Sequence, residues 1–269
     1  MNYYTSDTHF GHENAIQYCN RPFKNREHAD QSMVENWNAT VKSDSDIVYH
    51  GGDVALGCSP DYAKEIVSQL NGRIVLIRGS HDNNKAFNAI IDRFDKIFRI
   101  SDVRLIRIPA GDNKSFAKGI IPIFISHYNH RVWPLSHYNS WHLFGHSHGR
   151  LNGMDLGKAY DIGVDCNNFT PISELQIKDI MNKLPDNFNY IPEEKRHKKI
   201  DKGSCVCIAE PRGDNGLEGF TKDSNYHFEL INQGGGKRSF YCIFPASDTN
   251  YFETCGPNTF KKYFKAINN

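Results

Sequence analysis

The chain has 269 residues, 39% of them hydrophobic, which is room for one large domain or one domain with a small companion. Its net charge of +1 creates no overall field that would single out nucleic acid or a membrane as partner, though local basic patches are compatible with it. No apolar run reaches the length of a membrane span, and Met1 to Asp7 does not read as a secretory signal. The seven scattered cysteines lack a C-x-x-C pair, so they read as reduced thiols of a cytoplasmic protein rather than a zinc finger.

The first part of the chain alternates expected strands and helices. Tyr3 to Thr5 leads into Asp7. Residues 26 to 41 read as a helix, with Met33, Trp37 and Val41 on one stripe. Ile47 to Tyr49 is a short apolar run before His50-Gly51-Gly52-Asp53. Pro60 opens a helix through Leu70, stopped by Asn71-Gly72, and Arg73 to Arg78 is a buried-type strand ahead of Gly79. Residues 98 to 108 read as one or two strands, and Ile120 to Ile125 as another, ending near His127. Leu143-Phe144 precedes Gly145, while Ile162 and Val164 lead to Asp165. A helix from Ile172 to Leu184 is expected to close a first domain of residues 1 to 185.

Residues 186 to 203 hold Pro192 and a charged stretch from 193 to 199. They read as an exposed linker or solvated helix, with a basic contact for nucleic acid as the sharper alternative. From 204 to 269 the chain reads as a small all-β domain. Cys205 and Cys207 alternate along one strand, and Tyr226, Phe228 and Leu230 alternate along another. A Gly-rich turn at 234 to 236 precedes a returning strand, Phe240 to Phe244. The aromatic residues here read as core rather than as a base-stacking platform.

Five segments place Asp, His and Ser where chemistry would need them: Asp7-Thr8-His9, Gly52-Asp53, Gly79-Ser80-His81-Asp82, Ser126-His127 and Gly145-His146-Ser147-His148. Singly, D-x-H or G-D is common and carries little. Together, each segment follows a short apolar run, and ligands in open α/β sheets gather beyond the carboxyl ends of strands. On extended backbone, Asp7 and His9 would leave one face, as would His146 and His148. Two divalent cations roughly 3.5–4 Å apart can supply a nucleophile at neutral pH and neutralise developing negative charge. Mixed imidazole and carboxylate ligands suit Mn, Fe, Zn, Ni or Co without choosing among them. The remaining histidines, His28, His137, His142, His197 and His227, read as surface or core residues. A zinc protease or deaminase is disfavoured, because H-E-x-x-H and paired cysteines are missing.

The five segments, in this order, resemble the calcineurin-like metallophosphoesterase family. The continuation Tyr18-Cys19-Asn20-Arg21-Pro22-Phe23 is similar to a subgroup of small phage and bacterial members. The resemblance covers roughly residues 1 to 185. It implies an α/β fold, a four-layer α/β/β/α sandwich, and two divalent metal ions with manganese first. Asp7, His9 and His148 would hold the first metal, Asp53 would bridge, and His127 and His146 would hold the second. Ser80 stands where the family has Asn. A metal-bridging hydroxide would attack phosphorus, with His81 over the scissile phosphate aiding the leaving group and Asp82 orienting His81. His12 and Asn14 would contact substrate, and Arg78 and Arg150, flanking motifs, would bind phosphate where they are not surface ion pairs. His50 could orient Asp53. The implied activity is that of a hydrolase, a phosphatase or phosphodiesterase, acting on a phosphomono- or diester, nucleotide or nucleic acid favoured. It implies no membrane partner, and a cytoplasmic site, the host's if the protein is phage-encoded. The last 65 or so residues loosely resemble a small SH3-like barrel and could bind a protein partner.

Ser80 is the departure from the pattern. Its hydroxyl is shorter than an Asn side chain and a poorer ligand, so the second metal should bind weakly or through water. This leaves open a natural member with altered metal dependence, an introduced inactivating change, or a degenerate scaffold. The last would make the protein a non-catalytic nucleotide- or partner-binding protein.

Overall fold

Runs of three to seven residues rich in Ile, Val and aromatic side chains are too short to bury themselves as helices, and between residues 1 and 173 they pair as strands. The computed structural model describes residues 1–94, 100–111, 116, 119–192, 198–211, 217, 219–232, 239–244 and 253–267. The chain divides into two units, Met1–Tyr190 and Ile191–Asn269. In the first, β1 (Asn2–Thr5), β2 (Ile47–His50) and β3 (Arg73–Leu76) are parallel, and β8 (Ile172–Ser173) runs antiparallel beside β1, in the order β3-β2-β1-β8. A second sheet contains β4 (Val103–Pro109), β5 (Ile120–Ser126), β6 (Trp141–Phe144) and β7 (Ala159–Asp161) in that order. Only β4 is antiparallel within it. The unit is thus mixed α/β.

Helices α2 (Arg26–Thr40), α3 (Pro60–Ser68) and α4 (Lys85–Ile90) cover one face of the first sheet. α2 starts where the Asn25 side chain accepts the His28 N–H, and α3 where Ser59 caps and Pro60 supplies a preset φ. The expected stripe is buried: Met33, Trp37 and Val41 pack with Val48, Ile74 and Leu76 of the sheet. Full burial of each such aliphatic side chain contributes about 1.5–3 kcal/mol. The other face of this sheet offers Tyr4, Val75 and Ile77, which share a core with Ile121, Ile123, Ile125 and Leu143 of the second sheet. Ile177 and Met181 of α5 (Glu174–Lys183) join them, and α5 is opened by a capping box between Ser173 and Gln176. Beyond the second sheet, Phe124 and Phe144 pack against Trp133, with Leu151 and Leu156 at the margin.

Two short helices, α1 (Glu13–Tyr18) and α4, were not expected. Six residues carry under two turns of periodicity, and only the Asn84 cap on Phe87 N marks the start of α4. Of the expected strand at 98 to 108, residues 98 and 99 lie outside the described residues; Ser101 bridges Ile77, and pairing with the neighbouring strand at Ile120–Ser126 begins at Val103.

The expected linker needs correction at both ends. Residues to Tyr190 belong to the first unit, because Asn187 is buried and its amide donates to the Ser136 and Ser140 carbonyls. At the other end, β9 (Lys198–Cys207) already pairs with β10 (Asn225–Asn232) from Lys198 onward. The charged residues 193–197 and the turn at 234–236 lie outside the described residues. The second unit adds β11 (Phe240–Phe244), β12 (Glu253–Cys255), α6 (Pro257–Tyr263) and β13 (Phe264–Ile267). Its sheet, β12-β11-β10-β9-β13, is antiparallel throughout, and among the described residues it is open with edges at β12 and β13 rather than closed as a barrel. Cys205, Cys207, Tyr226, Phe228, Phe260 and Phe264 form its core, so these aromatic rings are used for packing. Among the described residues, no helix is long and apolar enough to cross a membrane.

Candidate metal centre

The loops after β1, β2, β5 and β6 bring two trios of ligand-type side chains together. They are Asp7, His9 and His148, and Asp53, His127 and His146; within each trio one ligand atom per residue lies within 4.8 Å of the others. Asp53 lies between the trios, its Oδ2 being 3.7 Å from His9 Nε2 and 3.4 Å from His127 Nε2. Asp7 is fully buried and its Oδ1 has no partner, nor does either ring nitrogen of His9. Leaving such groups buried and unpaired costs about 1–3 kcal/mol each. A carboxylate oxygen and imidazole nitrogens meeting at one point are the donor set of a divalent transition metal, so the residues fit such ions.

Other atoms of these side chains are engaged by groups outside the trios, which orients each ring. His127 Nδ1 faces the Gly51 carbonyl at 2.9 Å, turning Nε2 to the centre, where it lies 3.1 Å from His146 Nδ1. His148 Nδ1 meets Asp165 Oδ2 at 2.6 Å. Asp165 also takes two bonds from the Arg21 guanidinium, at 2.8 and 3.0 Å. Arg21 in turn donates to the Thr8 and Asp7 carbonyls, so one buried cation ties the Asp7–His9 loop to His148. This is the outer layer that typically fixes ligand orientation.

The extended-chain alternation expected for the paired ligands does not occur. β1 stops at Thr5 and β6 at Phe144, and Asp7, His9, Asp53, His146 and His148 all have φ between 48° and 63°. Left-handed backbone at residues other than glycine costs on the order of 1–3 kcal/mol each and persists only where the surroundings enforce it. Here the Asp7 N–H donates to Gly52 O, His9 N–H to Asp53 O, and His146 N–H to Asp7 Oδ2. Two glycines of the motifs are required by closeness. A Cβ at Gly79 would lie 2.3 Å from Asp53 Oδ1, and one at Gly145 would lie 2.2 Å from Asp7 Oδ2.

Asp82 does not do what was expected of it. Its buried carboxylate accepts the N–H groups of Asp53, Val54 and Gly79, pinning the loop that carries Asp53 instead of orienting His81. His81 is exposed at the centre's edge, and its own N–H donates to Asp53 Oδ1 at 2.8 Å. His50 also acts on backbone. Its Nδ1 accepts the Gly52 N–H, and its Nε2 lies 3.1 Å from Thr8 Oγ1, which itself donates to Val54 O. With Nδ1 accepting, the proton sits on Nε2, and burial holds this neutral ring down to a pKa of about 3. Ser80 Oγ lies 3.1 Å from Asp53 Oδ2 and donates to it.

The charges of the trios pull in opposite senses. Burial raises the Asp7 carboxyl to about 7 and lowers His9 to about 3. Burial also raises Asp53, but the His127 hydrogen bond and charge outweigh it and hold this carboxyl well below the usual carboxylate range. For His148, burial disfavours the charge, yet the Asp165 hydrogen bond prevails and raises it to about 10.

A cavity of about 510 Å³ opens over both trios. Of the expected substrate contacts, His12, Asn14 and Arg150 line it; Arg78 is exposed and does not. Asp165, Arg21, Tyr18 and Cys19 lie in stretches quoted from the sequence, but none was given a role at the site. Asp161 was missed too: it pairs with Ser147 Oγ and accepts the Gly149 and Gly163 N–H groups. The signal was present for the two aspartates, which end or closely follow β7 as Asp53 follows β2. His142 is a core residue, its Nδ1 on Phe124 O and its Nε2 accepting the His130 N–H.

No protein-family model matches the chain. Gene 66 protein of Mycobacterium phage L5 is 27% identical over 167 residues, 55% of this chain and 78% of that protein. The crystal structure of AQ665, a protein of unknown function from Aquifex aeolicus, matches with a TM-score of 0.52 and 27% identity, over 67% of this chain and 98% of that one. The uncharacterized protein MJ1445 of Methanocaldococcus jannaschii is 32% identical over 179 residues, 64% of this chain and 85% of that protein. At that identity and coverage, the chain belongs to the family of the uncharacterized archaeal protein MJ1445.

Proposed function

We propose that this protein is a metal-dependent phosphoesterase of the calcineurin-like type, hydrolysing a phosphomono- or diester of a nucleotide or nucleic acid. One observation carries the reading: a single carboxylate, Asp53, lies between His9 of one ligand trio and His127 of the other, while the buried Asp7 Oδ1 and both His9 ring nitrogens have no hydrogen-bond partner. Two divalent cations, manganese first, would supply there a nucleophile at neutral pH and neutralise charge on the phosphoryl oxygens. Asp7, His9 and His148 would hold one and His127 and His146 the other, with Asp53 between. His81, exposed at the mouth, would stand against the phosphate and give a proton to the leaving oxygen. His12 and Asn14 would bind substrate, and Arg150 would meet its negative charge.

The four-layer α/β/β/α sandwich belongs to the same proposal, supported by helices on the first sheet and a shared core between the sheets. So does a cytoplasmic location, supported by the lack of a disulfide among the described residues. The second unit would serve a protein partner.

A second reading, a non-catalytic nucleotide-binding protein, is favoured by the Ser80 hydroxyl, which donates to Asp53 where a ligand oxygen would be wanted. The test is hydrolysis of an aryl phosphodiester with manganese, compared with His81→Ala. Metal-dependent turnover falling about 10²–10⁴-fold in the variant supports the enzyme. Tight nucleotide binding with no turnover under any of the five metals sinks it.

A further inference from the structure

The cavity is far larger than a phosphate group requires. Its volume of about 510 Å³ falls in the range of sites that enclose a whole small molecule, roughly 300–1,000 Å³. From the ligand histidines it runs towards α1, along a series of aromatic rings. His9 and His12 have ring centroids 5.6 Å apart, and the His12 and Tyr18 rings form a T-shaped pair at 6.5 Å and 71°. The wall between is apolar, made by Ala15 and Leu56, and Arg150 stands on the rim.

Tyr18 is the last residue of α1, and its fold role is small. It is 66% exposed, and it belongs to none of the core clusters; α1 is anchored by Ala15. Its ring is left uncovered over a cavity that leads to the metal ligands. Tyr128 differs: its ring forms T-shaped pairs with His127 and His146 at 4.9 and 4.7 Å and does not line the cavity.

We infer that Tyr18 is a stacking platform for a planar heteroaromatic ring attached to the phosphate group, which makes nucleoside phosphoesters the substrate class of this site. The inference rests on the phosphoesterase reading for the phosphate end and on Tyr18 for the ring. A stacked base is sequence-tolerant, because every base presents a π-face, so the platform selects for the presence of a base rather than its identity. Arg150, on the same rim, would add charge near the sugar and phosphate. Stacking of a base on an exposed aromatic changes affinity by about 5- to 150-fold.

The test uses the full chain loaded with manganese. Affinities for thymidine 5′-monophosphate and for inorganic phosphate are measured for wild type, Tyr18→Ala and Tyr18→Phe. Turnover is measured on thymidine 5′-(p-nitrophenyl phosphate) and on methyl p-nitrophenyl phosphate, which share a leaving group. Tyr18→Ala is expected to weaken the nucleotide at least about fivefold and to raise KM for the thymidine ester equally. Phosphate affinity and turnover of the methyl ester should stay within about twofold, and Tyr18→Phe should match wild type. Unchanged nucleotide affinity in Tyr18→Ala, or equal losses for nucleotide and phosphate, overturns the inference. If neither ester is turned over while nucleotide binding still depends on Tyr18, the stacking platform stands and the phosphoesterase reading falls.

Discussion

Asp165→Asn removes one charge from behind the Asp7–His9–His148 trio while keeping the shape of the side chain. Asp165 is 5% exposed and Arg21 1% exposed, so the pair sits in a low-dielectric interior. The carboxylate takes two bonds from Arg21 and one from His148 Nδ1, and an amide oxygen can replace only part of this. Breaking a buried pair by removing one partner costs about 3–5 kcal/mol, because the remaining charge is left uncompensated. Asn retains an acceptor, which puts this variant at the low end, about 3 kcal/mol. For a unit of this size, Met1–Tyr190, each kcal/mol moves Tm by about 2–4 °C, so a loss of about 6–12 °C is expected in calorimetry of the metal-free protein. The second effect is on metal. Losing the carboxylate that orients a ligand histidine lowers metal affinity about 10–100-fold, measurable by manganese EPR titration. Asp179→Asn is the control. Its pair with Lys183 is 67% and 72% exposed, and its loss should change neither quantity. If Asp165→Asn keeps Tm within about 2 °C and manganese affinity within about twofold, then Arg21 and Asp165 do not hold the trio, and the geometric argument fails.

Three further predictions follow from single contacts. Ser80→Asn replaces a short hydroxyl that donates to Asp53 with a longer amide oxygen; second-metal affinity and turnover should rise about tenfold, about 1.4 kcal/mol, and unchanged metal stoichiometry and rate would count against it. Gly145→Ala puts a methyl 2.2 Å from Asp7 Oδ2 and Ser6 Oγ; overpacking should cost about 1–3 kcal/mol and displace Asp7, so a variant that still binds full metal by elemental analysis refutes the clearance argument. His50→Gln tests a buried neutral imidazole. Its folded pKa, about 3, is below the unfolded value of about 6.5, so as pH falls below 6.5 the unfolded chain gains a proton that the folded chain does not. Wild type should therefore lose on the order of 3 kcal/mol between pH 6.5 and pH 4 that the Gln variant keeps, and a denaturant-melt difference that stays constant over that range would show that His50 is not held neutral.

The places where the ligand-type side chains come together were legible because strand, turn and side chain are neighbours in sequence. Ile47 to Tyr49 followed by Gly52-Asp53, or Leu143-Phe144 followed by Gly145-His146, needs only a short window to read. What the window hides is anything set by distant partners. The reading of Asp7 and His9 as alternating on a strand assumed that β1 continued, whereas Gly52 and Asp53 carbonyls draw both residues into left-handed backbone. Asp82 next to His81 suggested a hydrogen-bonded pair. Three N–H groups of the tight loops at Asp53, Val54 and Gly79 claim that carboxylate first, and burial among them leaves it no reach to the exposed imidazole. Arg21 and Asp165 are 144 residues apart, and no local pattern joins them.

Ser80 shows how the two kinds of information combine. From sequence it is only a ligand of the wrong length. In the structure its hydroxyl is 3.1 and 3.4 Å from the two oxygens of Asp53, so it is also a donor aimed at the carboxylate between the trios. On the two-metal reading these effects add. The short side chain would be a poor ligand for a second ion, and its hydrogen would draw electron density from the carboxylate that lies between the trios. An asparagine whose amide oxygen points into the centre would correct both at once. A threonine would keep the donor and correct neither, so a gain in Ser80→Asn together with none in Ser80→Thr would trace the weakness to the ligand atom rather than to local packing.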